Sequence, residues 1–169
     1  MIKLYHGTDS FFEWPDLSKC RPHKDFGKGF YLTSDLAVAK RMAERCVERS
    51  DRQGAPMYVY VYVFDDADLS SLNVRRFAPV VDKAFARFVM ANRQPRSKAP
   101  DHNRDNRHDI VIGPIADDRM GVLFRRFEDG EVSIDYLVNE LKFRKLSIQY
   151  SFHTKRALAK LSLKEVRRD

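Results

Sequence analysis

The segment Met57–Phe64 constrains the fold of this 169-residue chain more than any other. Its letters, MYVYVYVF, alternate valine with tyrosine, and both residue types are enriched in β-strands. Successive side chains of a strand point to opposite faces of the sheet. Because both faces of this segment are large and mainly apolar, we predict a strand that is covered on both sides, with its aromatic rings in the core.

Other short apolar runs predict further strands. The first, Ile2–Tyr5, is followed by His6-Gly7-Thr8, where glycine and threonine favour a turn. This strand would deliver His6 to an edge or an end of a sheet. A polar loop over Asp16–Lys28 then leads into the second strand. The remaining predicted strands are Phe30–Leu32, Ile110–Ile112 and Leu146–Phe152.

Apolar residues at intervals of three or four predict the helices. These helices run from Ser34 or Asp35 to Ser50–Asp51, over Val80–Ala91, from Asp117 to Gly130, over Ser133–Leu141, and from Thr154 to Leu161. The last residues either add a strand or trail off. The polar segment Arg93–His108 has no periodicity and is either a mobile substrate loop or a long connection. Together these elements predict one α+β domain over residues 1–169.

Charge and cysteine content indicate which binding partners and which cellular compartment to expect. Lysine and arginine outnumber aspartate and glutamate by 31 to 24, which favours nucleic acid, an acidic protein or a phosphate-rich molecule, unless the excess is only a solvated surface. Cys20 and Cys46 show no zinc or disulfide spacing, and we expect no metal. The chain has neither an apolar signal core nor a membrane-length run, so we expect a cytoplasmic protein without a membrane partner.

Three segments combine polar and aromatic residues at the predicted ends of strands. They are YHGT from Tyr5 to Thr8, KDFGKGFYLT from Lys24 to Thr33, and QYSFHT from Gln149 to Thr154. Such strand ends can converge on one cleft. Each segment also has a plain structural explanation, since a histidine after a strand is usually hydrogen-bonded, Tyr31 alone would be core, and Thr154 can cap a helix.

The order of these segments resembles an uncharacterised bacterial family, known by its domain-of-unknown-function label DUF3990, which is placed in the ADP-ribosyltransferase superfamily. The Asn-Arg pair that ends in Arg93 and the segment DIVIGPIADD that begins at Asp109 also match. The resemblance extends from Leu4 to about Leu161. It implies an ADP-ribosyltransferase-like fold, with a split, mixed β-sheet flanked by helices, and it implies NAD as the co-substrate.

Related enzymes of the diphtheria-toxin and poly(ADP-ribose) polymerase type place histidine, tyrosine and glutamate on three separate strands. The resemblance transfers these positions to His6, Tyr31 and Gln149, as an H-Y-Q variant of the H-Y-E signature. It implies that His6 bonds a ribose hydroxyl and that Tyr31 stacks on the nicotinamide ring. The same resemblance implies that the other NAD-binding residues are Gly7, Thr8, Lys24, Phe26 and Gly27.

Glutamine at the third position changes the expected chemistry. Its side-chain oxygen can keep a hydrogen bond to ribose, but the amide cannot accept a proton near neutral pH. An acceptor that must lose a proton would need another base, and Asp25, Asp109 and His153 are candidates; alternatively, the acceptor needs little activation. Arg93 is a candidate supporting residue, although a helix-terminal arginine has a plain explanation as well.

Three functions follow from these observations. The resemblance implies an enzyme that moves ADP-ribose from NAD to nucleic acid or protein, and by analogy the toxin of a toxin–antitoxin or phage-defence pair, with a cognate antitoxin protein. The alternative is an inactive module of the same fold that binds NAD, ADP-ribose or nucleic acid. A purely nucleic-acid-binding protein is less well supported, because the aromatic residues lie in core-like runs and are not interleaved with the basic tracts.

Overall fold

The computed structural model describes residues 1–50, 54–77, 81–115, 118–142 and 146–168. Within these ranges the chain forms one mixed sheet and several helices, which confirms the predicted α+β class. The strands are β1 (Ile2–Thr8), β2 (Phe30–Thr33), β3 (Tyr58–Phe64), β4 (Val74–Arg76), β5 (Ile110–Pro114), β6 (Ile148–Phe152) and β7 (Leu161–Arg168). The helices are α1 (Leu36–Ser50), α2 (Lys83–Arg93), α3 (Asp118–Glu128), α4 (Ile134–Lys142) and α5 (Lys155–Leu158), and short 3-10 turns lie at Leu17–Lys19 and Asp66–Ser71.

The described strands follow the order β4-β5-β6-β2-β1-β3-β7 across the sheet. β4 and β5 run parallel, and the other neighbouring strands run antiparallel. β3 therefore lies between β1 and the edge strand β7. Its Tyr60, Tyr62 and Phe64 are fully buried on one face, and Val59 and Val61 are buried on the other. The predicted strand with two covered faces is confirmed.

Two apolar clusters cover the two faces of the sheet. On one face, Leu4, Phe30 and Phe152 pack with the tyrosines of β3, beneath α5 and the chain segments that follow β1 and β3. On the other face, α2, α3 and α4 pack through rings such as Phe88 and Phe124 against β2 and β5. α1 lies against β1, on the Gly7 side of the sheet. Burial of apolar area on both sides of the sheet is the main contribution to its stability.

β1 continues through His6-Gly7-Thr8, where the sequence predicted a turn, so that prediction was wrong. All three residues pair with β3. The glycine serves close packing and not a turn, because a Cβ built on Gly7 would lie 1.8 Å from the carbonyl oxygen of Ala39 in α1. On its other side β1 pairs with β2 through Tyr5 and Thr33. Toward His6 the described residues of the two strands show no further register pair, so the sheet opens there.

The connection between α2 and β5 is an organised loop without a regular helix or strand. Arg104 holds its first half by donating to three carbonyl oxygens, those of Gln94, Pro95 and Ser97. Asn103 is fully buried, and its backbone N–H donates to the side chain of Asn92 in α2 at 2.8 Å. The structure therefore shows a long connection fixed to α2.

Several element boundaries differ from the predicted ones. Asp35 and not Ser34 caps α1, since its carboxylate accepts from the second and third helical N–H groups. α5 ends at Leu158, before the predicted end, because the chain turns there into β7, which pairs with β3. β4 was not predicted, because three residues are too short for a strand pattern. The predicted helix ends at Asp51, Val80 and Asp117 lie outside the described residues.

Within the ranges that the structure describes, no helix combines the length and the apolar composition that a membrane crossing requires.

Candidate functional site

β2 and β6 are neighbours, and their register brings Tyr31 and Gln149 to one face of the sheet. Thr33 lies opposite Gln149, and Tyr31 lies opposite Ser151. Directly opposite residues share a face, and so do residues two apart on one strand. The structure therefore assembles two of the three transferred positions on one surface, in the region where β1 and β2 separate.

The loop before β2 closes over Tyr31 and holds its ring. The Tyr31 hydroxyl donates to the Gly27 carbonyl oxygen at 2.7 Å and accepts from the Phe26 N–H at 3.0 Å. Lys24 Nζ lies 5.7 Å from the centre of the tyrosine ring. Burial, reinforced by the charge of Asp25, raises the pKa of Tyr31 well above its usual value, so the phenol stays protonated and keeps donating.

Phe26 and Gly27 are buried and hold the Tyr31 hydroxyl through their backbone atoms. Phe26 is fully buried among the aromatic rings of the second cluster, so it has no surface to offer a ligand. Gly27 has a φ of 90° and its Cβ position lies 2.9 Å from the Asn103 carbonyl oxygen, so only glycine fits there. The two residues that were expected to bind NAD are therefore placed as positioning residues for the tyrosine.

Gln149 is buried, with 7% exposure, and its amide nitrogen has two partners. It donates to the Pro114 carbonyl oxygen at 3.1 Å and to Asp25 Oδ2 at 3.3 Å. Asp25 is thus the candidate base that the structure brings to the third position. These two bonds fix the orientation of the Gln149 side chain and therefore of its amide oxygen. The Asp25 carboxylate next to it belongs to the loop before β2.

Arg93 holds the other oxygen of Asp25. Its Nε and Nη2 atoms donate to Asp25 Oδ1 at 2.9 and 2.7 Å, and its guanidinium lies 5.1 Å above the centre of the Phe124 ring. The side chains of Asp25 and Arg93 are 14% and 27% exposed, so the pair is largely withdrawn from water. A charge-assisted bond of this kind fixes the carboxylate, and Arg93, Asp25 and Gln149 form one connected polar cluster.

His6 is half-buried and bridges the opening between β1 and β2. Its Nδ1 lies 2.8 Å from the Tyr31 carbonyl oxygen, which can only accept, so Nδ1 carries the proton and Nε2 is an acceptor. Burial lowers the pKa of His6 from 6.5 to about 4, so the ring is neutral at physiological pH. The ring packs against Phe30, 4.5 Å away between centres. Since Phe30 and Tyr31 are consecutive in a strand, the side chains of His6 and Tyr31 lie on opposite faces.

Gly7 and Thr8 have structural partners in this arrangement. The space that Gly7 leaves is filled by the backbone of Ala39, so the glycine, which was expected to bind NAD, accommodates α1. The hydroxyl of Thr8 accepts from the Ser10 N–H at 3.2 Å, in the bend after β1. These contacts account for both residues without a ligand.

The structure does not bring Asp109 or His153 to Gln149. Asp109 accepts from Thr154 and Arg156, and burial, which would raise its pKa, is outweighed by these bonds, so that the pKa is lowered. His153 is 2% exposed, and its Nδ1 donates to the Lys28 carbonyl oxygen at 2.9 Å. Burial lowers the pKa of His153 to about 4. Both residues join chain segments together and have little capacity left for a substrate.

Two supporting residues were not identified from the sequence. Asn92 precedes Arg93 in the Asn-Arg pair and anchors the loop that packs on Gly27. Phe12 follows the YHGT segment and packs against His6, with ring centres 5.9 Å apart. A signal was present for Asn92, which belongs to the Asn-Arg pair, whereas Phe12 lies outside every quoted motif. Among the described residues, no group of three metal-ligating side chains occurs.

The fold and the polar cluster define an α+β protein with a candidate ligand site where β1, β2 and β6 meet. The family model described as "Protein of unknown function (DUF3990)" matches residues 2–163. The chain therefore belongs to the DUF3990 family, which confirms that part of the resemblance. Neither the curated proteins nor the solved structures yield a significant match to the chain.

Proposed function

We propose that this protein is an NAD-dependent ADP-ribosyltransferase, with an ADP-ribosyltransferase-like fold, that modifies a macromolecule. One observation carries the proposal: residues from three distant segments converge, with the Tyr31 carbonyl bound to His6 and a carboxylate bound to Gln149. The neighbouring aromatic ring, amide and carboxylate suit a substrate that contains both a flat ring and ribose hydroxyls. The resemblance to the superfamily supplies the identity of that substrate.

The side chains present fit NAD in their chemistry. Tyr31 is a rigid ring beside the exposed cation of Lys24, so a flat nicotinamide and an anionic pyrophosphate find complementary groups. His6 points to the face opposite Tyr31, so its Nε2 would accept from a ribose hydroxyl through the opening between β1 and β2. Both amide hydrogens of Gln149 are used within the protein, so a ribose hydroxyl would donate to its amide oxygen.

Transfer breaks the bond between C1′ of the ribose and the nicotinamide nitrogen. Nicotinamide leaves with the electron pair, the acceptor forms a new bond to C1′, and the acceptor loses a proton. We assign that proton to Asp25, because it is the carboxylate beside Gln149, whereas Asp109 and His153 are engaged elsewhere. The water-poor setting of Asp25 strengthens electrostatic stabilisation of the cationic ribose.

Incubation of the protein with NAD labelled in its adenosine moiety and a bacterial lysate tests the proposal. We expect label in nuclease-sensitive or protease-sensitive material, with loss of transfer for Tyr31→Ala and His6→Ala. Tyr31→Phe keeps the ring that would stack on nicotinamide but removes the hydroxyl that bonds the loop before β2. It therefore separates the role of the ring from that of the hydroxyl. The exposed Tyr136→Ala serves as the matched control. Tight NAD binding with neither transfer nor hydrolysis would overturn the proposal.

The second candidate function is a binding module for NAD or ADP-ribose. It is favoured by Gln149 itself, whose amide hydrogens are spent on internal bonds and which cannot act as an acid or base. Calorimetric titration with NAD and with ADP-ribose distinguishes the two functions. Equal affinities for both ligands, together with no nicotinamide release, would support the module and contradict the enzyme.

We further propose that the protein acts inside the bacterial cell as the toxin of a toxin–antitoxin or phage-defence pair. The support is the superfamily resemblance. Induced expression should then arrest growth, Tyr31→Ala should relieve the arrest, and a neighbouring gene should encode the antitoxin. Normal growth at an expression level that yields transferase activity in lysate would contradict this role.

A further inference from the structure

Two large aromatic side chains are exposed on the segment that follows β1. Phe11 is 63% exposed and Trp14 is 45% exposed. A single exposed apolar residue is ordinary, but two exposed rings on one short segment mark a candidate binding surface. Both rings also rest on tyrosines of β3, Phe11 on Tyr58 with ring centres 5.8 Å apart and Trp14 edge-on to Tyr62 at 6.3 Å.

The segment that carries these rings is fixed by Phe12. This ring stacks on Tyr60, with centres 4.0 Å apart and planes inclined by 7°. The Tyr60 hydroxyl accepts from the Phe12 N–H at 2.6 Å and donates to the Phe12 carbonyl oxygen at 2.9 Å. One buried tyrosine thus anchors both the ring and the backbone of Phe12. Its neighbours are presented to solvent from a rigid base, which lowers the entropic cost of binding.

Cations lie along the chain from these rings to Tyr31 and on the neighbouring edge strand. Lys19, Arg21 and Lys24 are exposed. Arg168 lies directly opposite Tyr58, so it shares a face with the tyrosine on which Phe11 rests.

One of the three acids on this stretch is paired with a cation. The Asp16 carboxylate accepts from the Ser18 N–H at 2.8 Å, and Asp25 is paired with Arg93. Asp16 keeps its negative charge, because a bond from a neutral N–H does not cancel it, and Glu13 is exposed as well. The exposed cations Lys19, Arg21, Lys24 and Arg168 outnumber these two acids. The surface therefore combines two stacking rings with a predominantly positive border.

We infer that this surface, formed by Phe11, Trp14, Lys19, Arg21 and Arg168, docks single-stranded nucleic acid. Unpaired bases offer flat faces to exposed rings, and the phosphates that join them are drawn to the cations, whereas the bases of a duplex are already stacked on one another. A protein partner would explain the exposed rings but not the cations around them. Docking itself does not depend on the proposed function. Only the role of the nucleic acid as the acceptor of ADP-ribose rests on that function.

The surface adjoins the candidate site. The Phe12 ring, between the two exposed rings in sequence, meets His6 edge-on with centres 5.9 Å apart. The surface therefore lies on the face of the sheet to which His6 points, and Tyr31 lies on the opposite face. A nucleic-acid strand bound there would approach NAD from the His6 side of the opening between β1 and β2.

Trp14 is the only tryptophan of the chain, so its fluorescence reports on this surface directly. Titration of the full chain with oligothymidylate or oligouridylate of about 12 nucleotides should quench it to saturation, and the two probes separate DNA from RNA. Phe11→Ala should weaken binding about tenfold, as loss of one stacking ring does. Val122→Ala, at an exposed apolar residue on α3, should leave it unchanged.

Salt dependence tests the cationic border. Three phosphate contacts to a single strand predict a slope of about −2 for the logarithm of the association constant against that of salt concentration. Arg21→Gln should reduce the magnitude of this slope by about 0.7. A slope near zero, or a slope that Arg21→Gln does not change, would contradict phosphate binding.

The inference is overturned if neither oligonucleotide quenches Trp14, if a duplex of equal length binds as tightly, or if Phe11→Ala behaves like Val122→Ala. It is also overturned if the protein dimerises with rising concentration and Phe11→Ala abolishes the dimer, since the surface would then serve a second copy. All these measurements omit NAD. Oligonucleotide binding together with no transfer in the lysate assay would refute the enzyme and keep the docking surface. Transfer to protein without oligonucleotide binding would keep the enzyme and refute the docking surface.

Discussion

The amide of Gln149 donates to the carboxylate of Asp25 at 3.3 Å, although the two residues are 124 positions apart in the chain. This bond joins β6 to the loop that closes over Tyr31. Arg93 clamps the other carboxylate oxygen. An amide at position 149 suits this setting, because a second carboxylate at the same distance would repel the first.

Gln149→Glu should destabilise the protein more at high pH than at low pH, and it should not increase transfer. Repulsion by Asp25 raises the pKa of the new carboxyl in the folded state, so stability is retained when that group is protonated and is lost as pH rises through its pKa. Thermal unfolding at about pH 5 and about pH 8 checks this. The double variant Gln149→Glu with Asp25→Asn should recover the loss, and an equal loss at both pH values would contradict the repulsion.

Asp25→Asn should reduce transfer by roughly a hundredfold while NAD affinity changes little, because it removes a proton acceptor and keeps the shape. Single-turnover transfer and equilibrium NAD binding are the measurements. Asp101→Asn is the matched control, since it also breaks an arginine pair, that with Arg75, but on the surface. Normal transfer by Asp25→Asn would show that this carboxylate does not take the proton.

Stability should fall as pH drops from 6.5 to about 4, in part because of His153. Its pKa is lowered in the folded state, so the unfolded chain binds a proton over this range and the folded chain does not, which costs at most about 3 kcal/mol. His6 acts in the same direction. His153→Asn, which keeps a donor toward the Lys28 carbonyl, should flatten the pH dependence of chemical denaturation. An unchanged profile would mean that His153 is not buried as a neutral ring.

Gly7→Ala should destabilise the fold by several kcal/mol, because the added methyl would overlap the Ala39 carbonyl and push α1 away from β1. Gly121→Ala is its control. In α3 a Cβ at this position meets no atom closer than 4.0 Å, so the change should stabilise by about 0.5 to 1 kcal/mol. Urea denaturation measures both, and similar effects at the two sites would refute the close packing of α1.

Asn103→Ala should release the loop between α2 and β5 and weaken the support of Gly27. The buried side chain bonds both N–H and carbonyl of His108, and its removal leaves these groups unsatisfied. Limited trypsin digestion should then cut faster at Arg96 and Lys98, which lie in this loop. Asn106→Gly, farther along the loop, is the comparison, because glycine tolerates the φ of 55° at this position. Equal cleavage rates would show that Arg104 alone keeps the loop ordered.

The sequence predicted the regular elements where a pattern extends over enough residues. The alternation of Met57–Phe64 is a property of neighbouring residues, and so is the spacing that predicts α1 and α2. β4 was missed because three residues carry no period, and the turn at Gly7 was predicted wrongly because a glycine in a strand and a glycine in a turn look alike. The difference lies in what packs on the glycine.

By itself, then, the sequence determined the α+β class, the membership of the DUF3990 family and the three segments that carry the candidate site. Only the tertiary structure decided that Asp25 meets Gln149, that His6 and Tyr31 point to opposite faces, and that Phe26 is a core residue. Local periodicity arises from interactions within a few residues. Strand order, register and loop packing depend on contacts between distant segments, which no short stretch of sequence specifies.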